Sequence, residues 1–314
     1  MKLRTVTLTI LLLGAVLSCK KDDDKDVVEV EVRDRAEVYE ENIAELEAYL
    51  DTHFYNYEEF DFENPYSEAN DNFQIVIDTI AGENSDKIPL IDRSELKLKL
   101  VNSDSDTDEI EYKLYYLELR KGLGDSIHPT DRAHIQYKGM LIDNTVFDSA
   151  ITPVGLSMST IGSDYGVVKG FKEGTIEFRT SVGNSENGDG TVTYHNHGIG
   201  ALFIPSGLGY FSTTQTKIPA YSNLIFLIHT PGVTFLDHDG DLVPSYMEDL
   251  NGNGDIYDDD TDGDEIPDAL DIDDDGDGVL TPYEDIDGDG DPTNDIGKNG
   301  IPKYLDAEET ESNE

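Results

Sequence analysis

Between Ala133 and Ser149 the chain reads AHIQYKGMLIDNTVFDS, with apolar and polar residues alternating into and out of a turn at Asn144-Thr145. A period of two predicts a β-hairpin, and its return strand carries an adjacent aromatic and acid, Phe147 and Asp148. A longer period governs residues 34–52. Asp34 and Glu37 have capping-box spacing, and Ala36, Tyr39, Ile43, Leu46 and Leu50 recur at intervals of three and four, which predicts a helix with one apolar face. Such a face packs on the chain's own core more often than on a partner; a homodimer through helix 34–52 is its other use. Alternation returns at Phe73–Ile77 and Leu96–Leu100, two predicted strands joined by the turn-rich DTIAGENSDKIP. The polar run SDSDTDE then marks a boundary before YKLYYLELRKGLGDS.

Charge changes this picture at the C-terminal end. The 314 residues carry 68 acids against 22 Lys and Arg, a formal charge of −46. That balance argues against nucleic acid or an anionic membrane surface as an electrostatic partner. Residues 237–314 alone hold 29 Asp and Glu with two Lys. So local an excess points to a counter-ion.

The N-terminus has a basic start, an apolar run from Val6 to Leu17, then Ser18-Cys19 and KKDDDKD. The run is too short to span a bilayer and predicts an export signal. Its end, VLSC, resembles the lipobox of bacterial lipoproteins. The resemblance implies that Cys19 is lipidated and tethers the chain to the cell envelope, at an outer membrane and facing either the periplasm or the surface. Cys19 is the sole cysteine, so no disulfide is available and stability rests on packing and metal.

Three segments follow the hairpin: GVVKGFKEG (166–174), ALFIPSGLGYF (201–211) and IPAYSNLIFLI (218–228). In this order they resemble the core of FKBP-type peptidyl-prolyl isomerases. The resemblance implies an α+β fold, a curved antiparallel sheet wrapped on a short helix. It places Tyr137 and Phe147 on the wall of an apolar pocket, Val167 and Val168 at its base, Phe171 as its floor, and Ile218 and Phe226 closing it. Asp148 would bond to Tyr137, the Tyr210 hydroxyl would hold a substrate carbonyl, and Pro219 would shape the rim. Catalysis by twisting an amide needs no cofactor. Departures from the family pattern accompany the match. Phe171 stands where a tryptophan is usual, the arginine that often pairs with the acid has no counterpart in AITPVGLSMSTIG, and the pocket phenylalanine of that segment is replaced by Leu156 or Met158. His195 and His197 have the spacing of a metal pair but no third ligand, which reads as a solvated loop.

After Pro231-Gly232 the chain becomes self-similar: DHDGDLVPSYMEDL, DDTDGDEIPDALDID, DDDGDGVLTPYEDIDGDGD. Alternate aspartates in a tight loop turn oxygens toward one point, as a hard cation requires. Asp273, Asp275, Asp277, Gly278, Val279 and Glu284 match the ligand and glycine positions of an EF-hand loop, Val279 through its carbonyl. Asp237, Asp239, Asp241 and Glu248 share the spacing, with Leu242 where glycine is expected. Asp260, Asp262 and Asp264 begin a third unit, and Asp287, Asp289 and Asp291 a fourth. With little room for flanking helices, these units resemble thrombospondin type 3 repeats, which implies structural Ca2+.

The domain organisation expected is therefore a signal peptide with its lipidated cysteine (1–19), an acidic tether (20–33), a helix-and-strand extension (34–110), the isomerase domain (111–232), calcium repeats (233–308) and a tail (309–314). The expected function is isomerisation of proline-containing clients during the folding of exported proteins. The alternative is a catalytically weak FKBP-like binding module on a calcium-dependent surface or adhesion lipoprotein.

Overall fold

Two segments, ALFI and LIFLI, are apolar without interruption, the mark of strands covered on both faces. In the computed structural model, which describes residues 32–103, 109–161 and 166–313, they are β9 (Gly198–Ile204) and β10 (Leu224–Thr234), side by side in one sheet. The signal peptide, Cys19 and most of the tether lie outside the described residues.

In chain order, α1 (Arg35–Thr52), β1 (His53–Tyr55) and β2 (Ile77–Thr79) precede β3 (Leu96–Asn102), β4 (Glu111–Arg120), β5 (Arg132–Leu141) and β6 (Val146–Ser157). A short helix α2 (Lys169–Thr175) and the small hairpin β7 (Gly183–Glu186) and β8 (Val192–His195) come before β9 and β10. Six strands form the main antiparallel sheet in the order β3-β4-β9-β10-β5-β6. The fold is the α+β class expected.

Side chains of β10 alternate between two cores. Leu224, Phe226 and Ile228 join Tyr112, Leu114, Ile135, Leu202 and Phe171 of α2 on one face. Ile225 and Leu227 join Phe203, Leu46 and Leu50 of α1, and Tyr55, Phe60, Phe73, Ile75 and Leu90 on the other. Burying each such side chain contributes about 1.5–3 kcal/mol. The segment before residue 96 thus roofs a sheet face that would otherwise be wet. The extension also reaches into the sheet itself, because β3, within residues 34–110, pairs with β4.

Helix α1 begins as its pattern predicts: the Glu37 amide donates to Asp34 Oδ1 at 3.0 Å. Its buried stripe is Val38, Asn42, Leu46, Tyr49 and Leu50, while Ala36 is exposed and Ile43 half-buried. The face considered for a homodimer is covered by the chain's own sheet. Two further expectations change. Residues 73–76 form no strand, their Phe73 and Ile75 being anchored in the core by an irregular segment. The β5–β6 turn is four residues, Ile142 to Thr145, with Asn144 left-handed at φ 66° and Asp143 Oδ1 accepting from the Thr145 amide at 2.8 Å.

Helix α2 approaches the sheet through two glycines one turn apart. A Cβ on Gly170 would stand 2.3 Å from Ile204, and one on Gly174 would stand 2.5 Å from Leu202. Their absence lets Phe171 reach the core. Beyond Phe235 the described residues form loops and single 3-10 turns. They seat on the rest of the body through a small cluster of Ile161, Ile256 and Ala269, and through Tyr246 stacked on His128 at 4.0 Å.

Candidate functional site

The hairpin, α2, the turn before it and the loop after β9 enclose a cleft of about 430 Å³. All nine residues expected there line it: Tyr137, Phe147, Asp148, Val167, Val168, Phe171, Tyr210, Ile218 and Phe226. Leu156 lines it too, whereas Met158 is core and Pro219 stands outside the lining. Gln215, Thr216 and Lys217 complete the rim. They occupy a turn with no periodicity, and sequence reasoning passed over them.

Phe226 is the hub of the walls, its ring 4.8 Å from Phe171, 5.4 Å from Phe147 and 6.1 Å from Tyr137. The first two contacts are edge-to-face, which the ring quadrupoles favour. Gly139 makes this possible, because a Cβ there would lie 2.4 Å from Phe147. At the lip, the Tyr137 hydroxyl donates to Asp148 Oδ2 at 2.5 Å, and Asp148 Oδ1 accepts from the Ser149 amide. Burial, reinforced by that bond, pushes the Tyr137 phenol up to about 12. Burial and then Asp148 also raise Tyr210. Both phenols therefore stay protonated donors at neutral pH. Val168 caps α2 in extended conformation, and Val167 is tied by its amide to Ser157 O.

The loop carrying Tyr210 is held from outside the cleft by Asn42 of α1. Asn42 Oδ1 accepts from the amide and hydroxyl of Ser206, and its Nδ2 donates to Tyr221 O at 3.1 Å.

His195 and His197 are not a solvated pair. His195 Nδ1 lies 2.9 Å from Asp71 Oδ2, and Asp71 Oδ1 pairs with the buried Arg120 at 2.9 Å. His197 is 2% exposed, its Nδ1 2.9 Å from Tyr194 O and its Nε2 2.9 Å from His229 Nδ1. Arg120 Nη2 also approaches His197 Nδ1, at 3.3 Å. Burial lowers His197 to about 4 and depresses His229 as well.

In the acidic segment, carboxylates converge at Asp237, Asp239 and Asp241; at Asp260, Asp262 and Asp264; and at Asp273, Asp275 and Asp277. The fourth group is Asp285, Asp287 and Asp289, beginning one step before the expected Asp287, Asp289 and Asp291. Asp291 instead caps the turn at Pro292–Asn294, accepting from the Thr293 amide. A further loop at Asp249, Asn251 and Asn253, unseen because asparagine replaces two acids, folds alike. In four of these five loops, the first aspartate's Oδ2 accepts from the amide five residues on: Leu242, Gly254, Glu265 and Gly290. Those four residues, and Gly278, are left-handed. Val279 follows Gly278, its amide donating to Asp277 Oδ1. Glu284 is buried with both oxygens unpartnered, and burial with Asp275, Asp277 and Asp273 nearby pushes it up to about 8. Glu248 and Asp241 converge with Asp274, an aspartate that sequence reasoning left out.

A curved antiparallel sheet, a short helix across one face and an aromatic cleft between them define an FKBP-like domain. Residues 124–230 match the family model described as FKBP-type peptidyl-prolyl cis-trans isomerase. Residues 238–292 match the model described as BamM C-terminal. No curated protein matches the chain. Similar solved structures include FkpA from Escherichia coli, 23% identical over 46% of this chain and 53% of that one, with a TM-score of 0.33. The chain thus spans about half the length of FkpA. A peptidyl-prolyl isomerase from Pseudomonas syringae pv. tomato is 20% identical over 46% of this chain and 84% of that one, with a TM-score of 0.32.

Proposed function

We propose that the chain isomerises X-Pro bonds in exported polypeptides. The observation that carries this reading is the juxtaposition of the Phe147, Phe171 and Phe226 rings with the Tyr210 hydroxyl in one cleft. Rotation about an amide breaks resonance, at a barrier of about 18–20 kcal/mol. The planar amide separates charge between oxygen and nitrogen more than the twisted one does, so apolar walls disfavour the ground state relative to the transition state. Tyr210 would hold the substrate carbonyl, and the Tyr137–Asp148 bond would keep the lip in place. Each 1.36 kcal/mol of such discrimination is worth about tenfold in rate. Turnover of a short prolyl peptide tests the reading. Phe171→Ala, and Asp148→Asn with Tyr210→Phe, should each lower kcat/KM by about tenfold or more; unchanged rates would reject the site.

A second reading, a catalytically weak binding module on a calcium-dependent surface or adhesion lipoprotein, is favoured by Phe171 where an indole is usual. Binding of an extended proline-containing peptide without turnover would establish it.

The acidic loops extend the proposal to structural Ca2+, supported by the unpartnered buried oxygens of Glu284 beside Asp273, Asp275 and Asp277. A chelator should make residues 237–308 protease-sensitive. The VLSC motif supports export and lipid anchoring through Cys19, and a Cys19→Ser variant that still fractionates with membranes would refute it.

A further inference from the structure

Asp241, Glu248 and Asp274 come from two loops separated along the chain, and each offers an oxygen within 4.8 Å of the others. All three are at least nine-tenths buried, at 0%, 1% and 1% exposure. Asp241 Oδ2, both oxygens of Glu248 and both of Asp274 have no hydrogen-bond partner. Asp239 Oδ2, in the adjoining group, is orphaned as well. Carboxylates buried this way repel one another and lack the donors that normally offset desolvation. Something positive is needed between them.

We infer that Asp241, Glu248 and Asp274 form a buried calcium site that bolts the loop beginning at Asp237 to the loop beginning at Asp273. The inference rests on the calcium reading of the loops and goes beyond it, because Asp274 is not at a ligand position of its own loop. Its neighbours Asp273 and Asp275 face their own group, while Asp274 projects into the group 33 residues upstream of it at Asp241. The donors are all oxygens, which disfavours zinc. Glu248 presents both oxygens, and the orphaned set suits the six to eight ligands of calcium better than the water-retaining octahedron of magnesium. Such a bolt accounts for a compact segment built almost without regular secondary structure, since each loop alone buries little apolar surface. The buried Tyr304 ring sits beside this site, its phenol raised by burial and by Asp274, Glu248 and Asp241.

The test is calcium titration of the chelator-stripped full chain by calorimetry, with melting curves in calcium and in chelator. Asp274→Asn should take up one ion fewer, or bind one ion about tenfold more weakly. Asp287→Asn, in a separate loop, should lose its own ion and leave the Asp274 site intact. In calcium, Asp274→Asn and Glu248→Gln should melt below wild type; in chelator they should melt at or above it, because each removes a buried carboxyl group that has no partner. Wild-type uptake that Asp274→Asn leaves unchanged would overturn this site alone. Variants that melt equally below wild type in both buffers would overturn it too, assigning the cluster a role without metal. A wild-type chain that takes up no calcium would sink the loop reading along with it.

Discussion

The hydroxyl of Tyr137 donates to Asp148 Oδ2 across 2.5 Å, joining the two strands of one hairpin at the lip of the cleft. The phenol is raised to about 12 by burial and by that bond. The folded state thus holds its proton more tightly than the unfolded chain, whose tyrosines lose theirs near pH 10. This contribution to stability is complete below about pH 10 and is lost as the pH climbs through about 12. Buried tyrosines elsewhere, Tyr49, Tyr55 and Tyr116 among them, are raised too, so denaturant melts across that range should show a decline that Tyr137→Phe makes shallower without abolishing it.

Asn42 lies in α1 yet governs the loop of Tyr210. Asn42→Ala would strand the Ser206 amide and hydroxyl and the Tyr221 carbonyl, at about 1–3 kcal/mol for each group left unsatisfied in the interior. We expect a lower Tm together with a raised KM for a prolyl peptide. A fall in Tm with KM unchanged would mean that the helix supports the fold but not the loop.

His197 and His229 are held neutral by burial, so the unfolded chain takes up protons that the folded chain refuses. Their contribution is full above the ordinary histidine value of about 6.5 and fades as the pH falls through about 4, the position of His197. His229→Gln should therefore shallow the acid limb of the stability curve between about pH 4 and 6.5, measured by urea melts.

Leu242 occupies the left-handed position where Gly254, Gly278 and Gly290 stand in sister loops, at φ 83°. That conformation costs a Cβ-bearing residue about 1–2 kcal/mol, and the side chain is 45% exposed. Leu242→Gly should raise the calcium-loaded Tm despite the added freedom of the unfolded chain. A lower Tm would show that the leucine packs to greater effect than its exposure allows.

The cleft was legible because its members lie in four ordered segments that resemble the FKBP-type family, and the resemblance assigned them to one pocket. Tyr137 and Phe147 sit in an alternating hairpin, Phe171 in a helix opened by two glycines, and Phe226 in an unbroken apolar strand. What escaped sequence reasoning has no such signal. Gln215, Thr216 and Lys217 lie in a turn, and Asn42 is a polar residue inside an apolar stripe. His197 was read as solvated because its partner His229 comes 32 residues later.

By itself, then, the sequence determined the hairpin, the α1 cap and the alternation of aspartates, which follow from local spacing and backbone stereochemistry, and through its family resemblance the aromatic set of the cleft. Only the tertiary structure decided what covers the second face of the sheet, which loop α1 steadies, and where Asp274 points. Those outcomes depend on distant surfaces meeting, and burial rather than spacing selects them: a sheet face must be roofed, a buried amide must find its acceptor, and buried carboxylates must find a counter-charge.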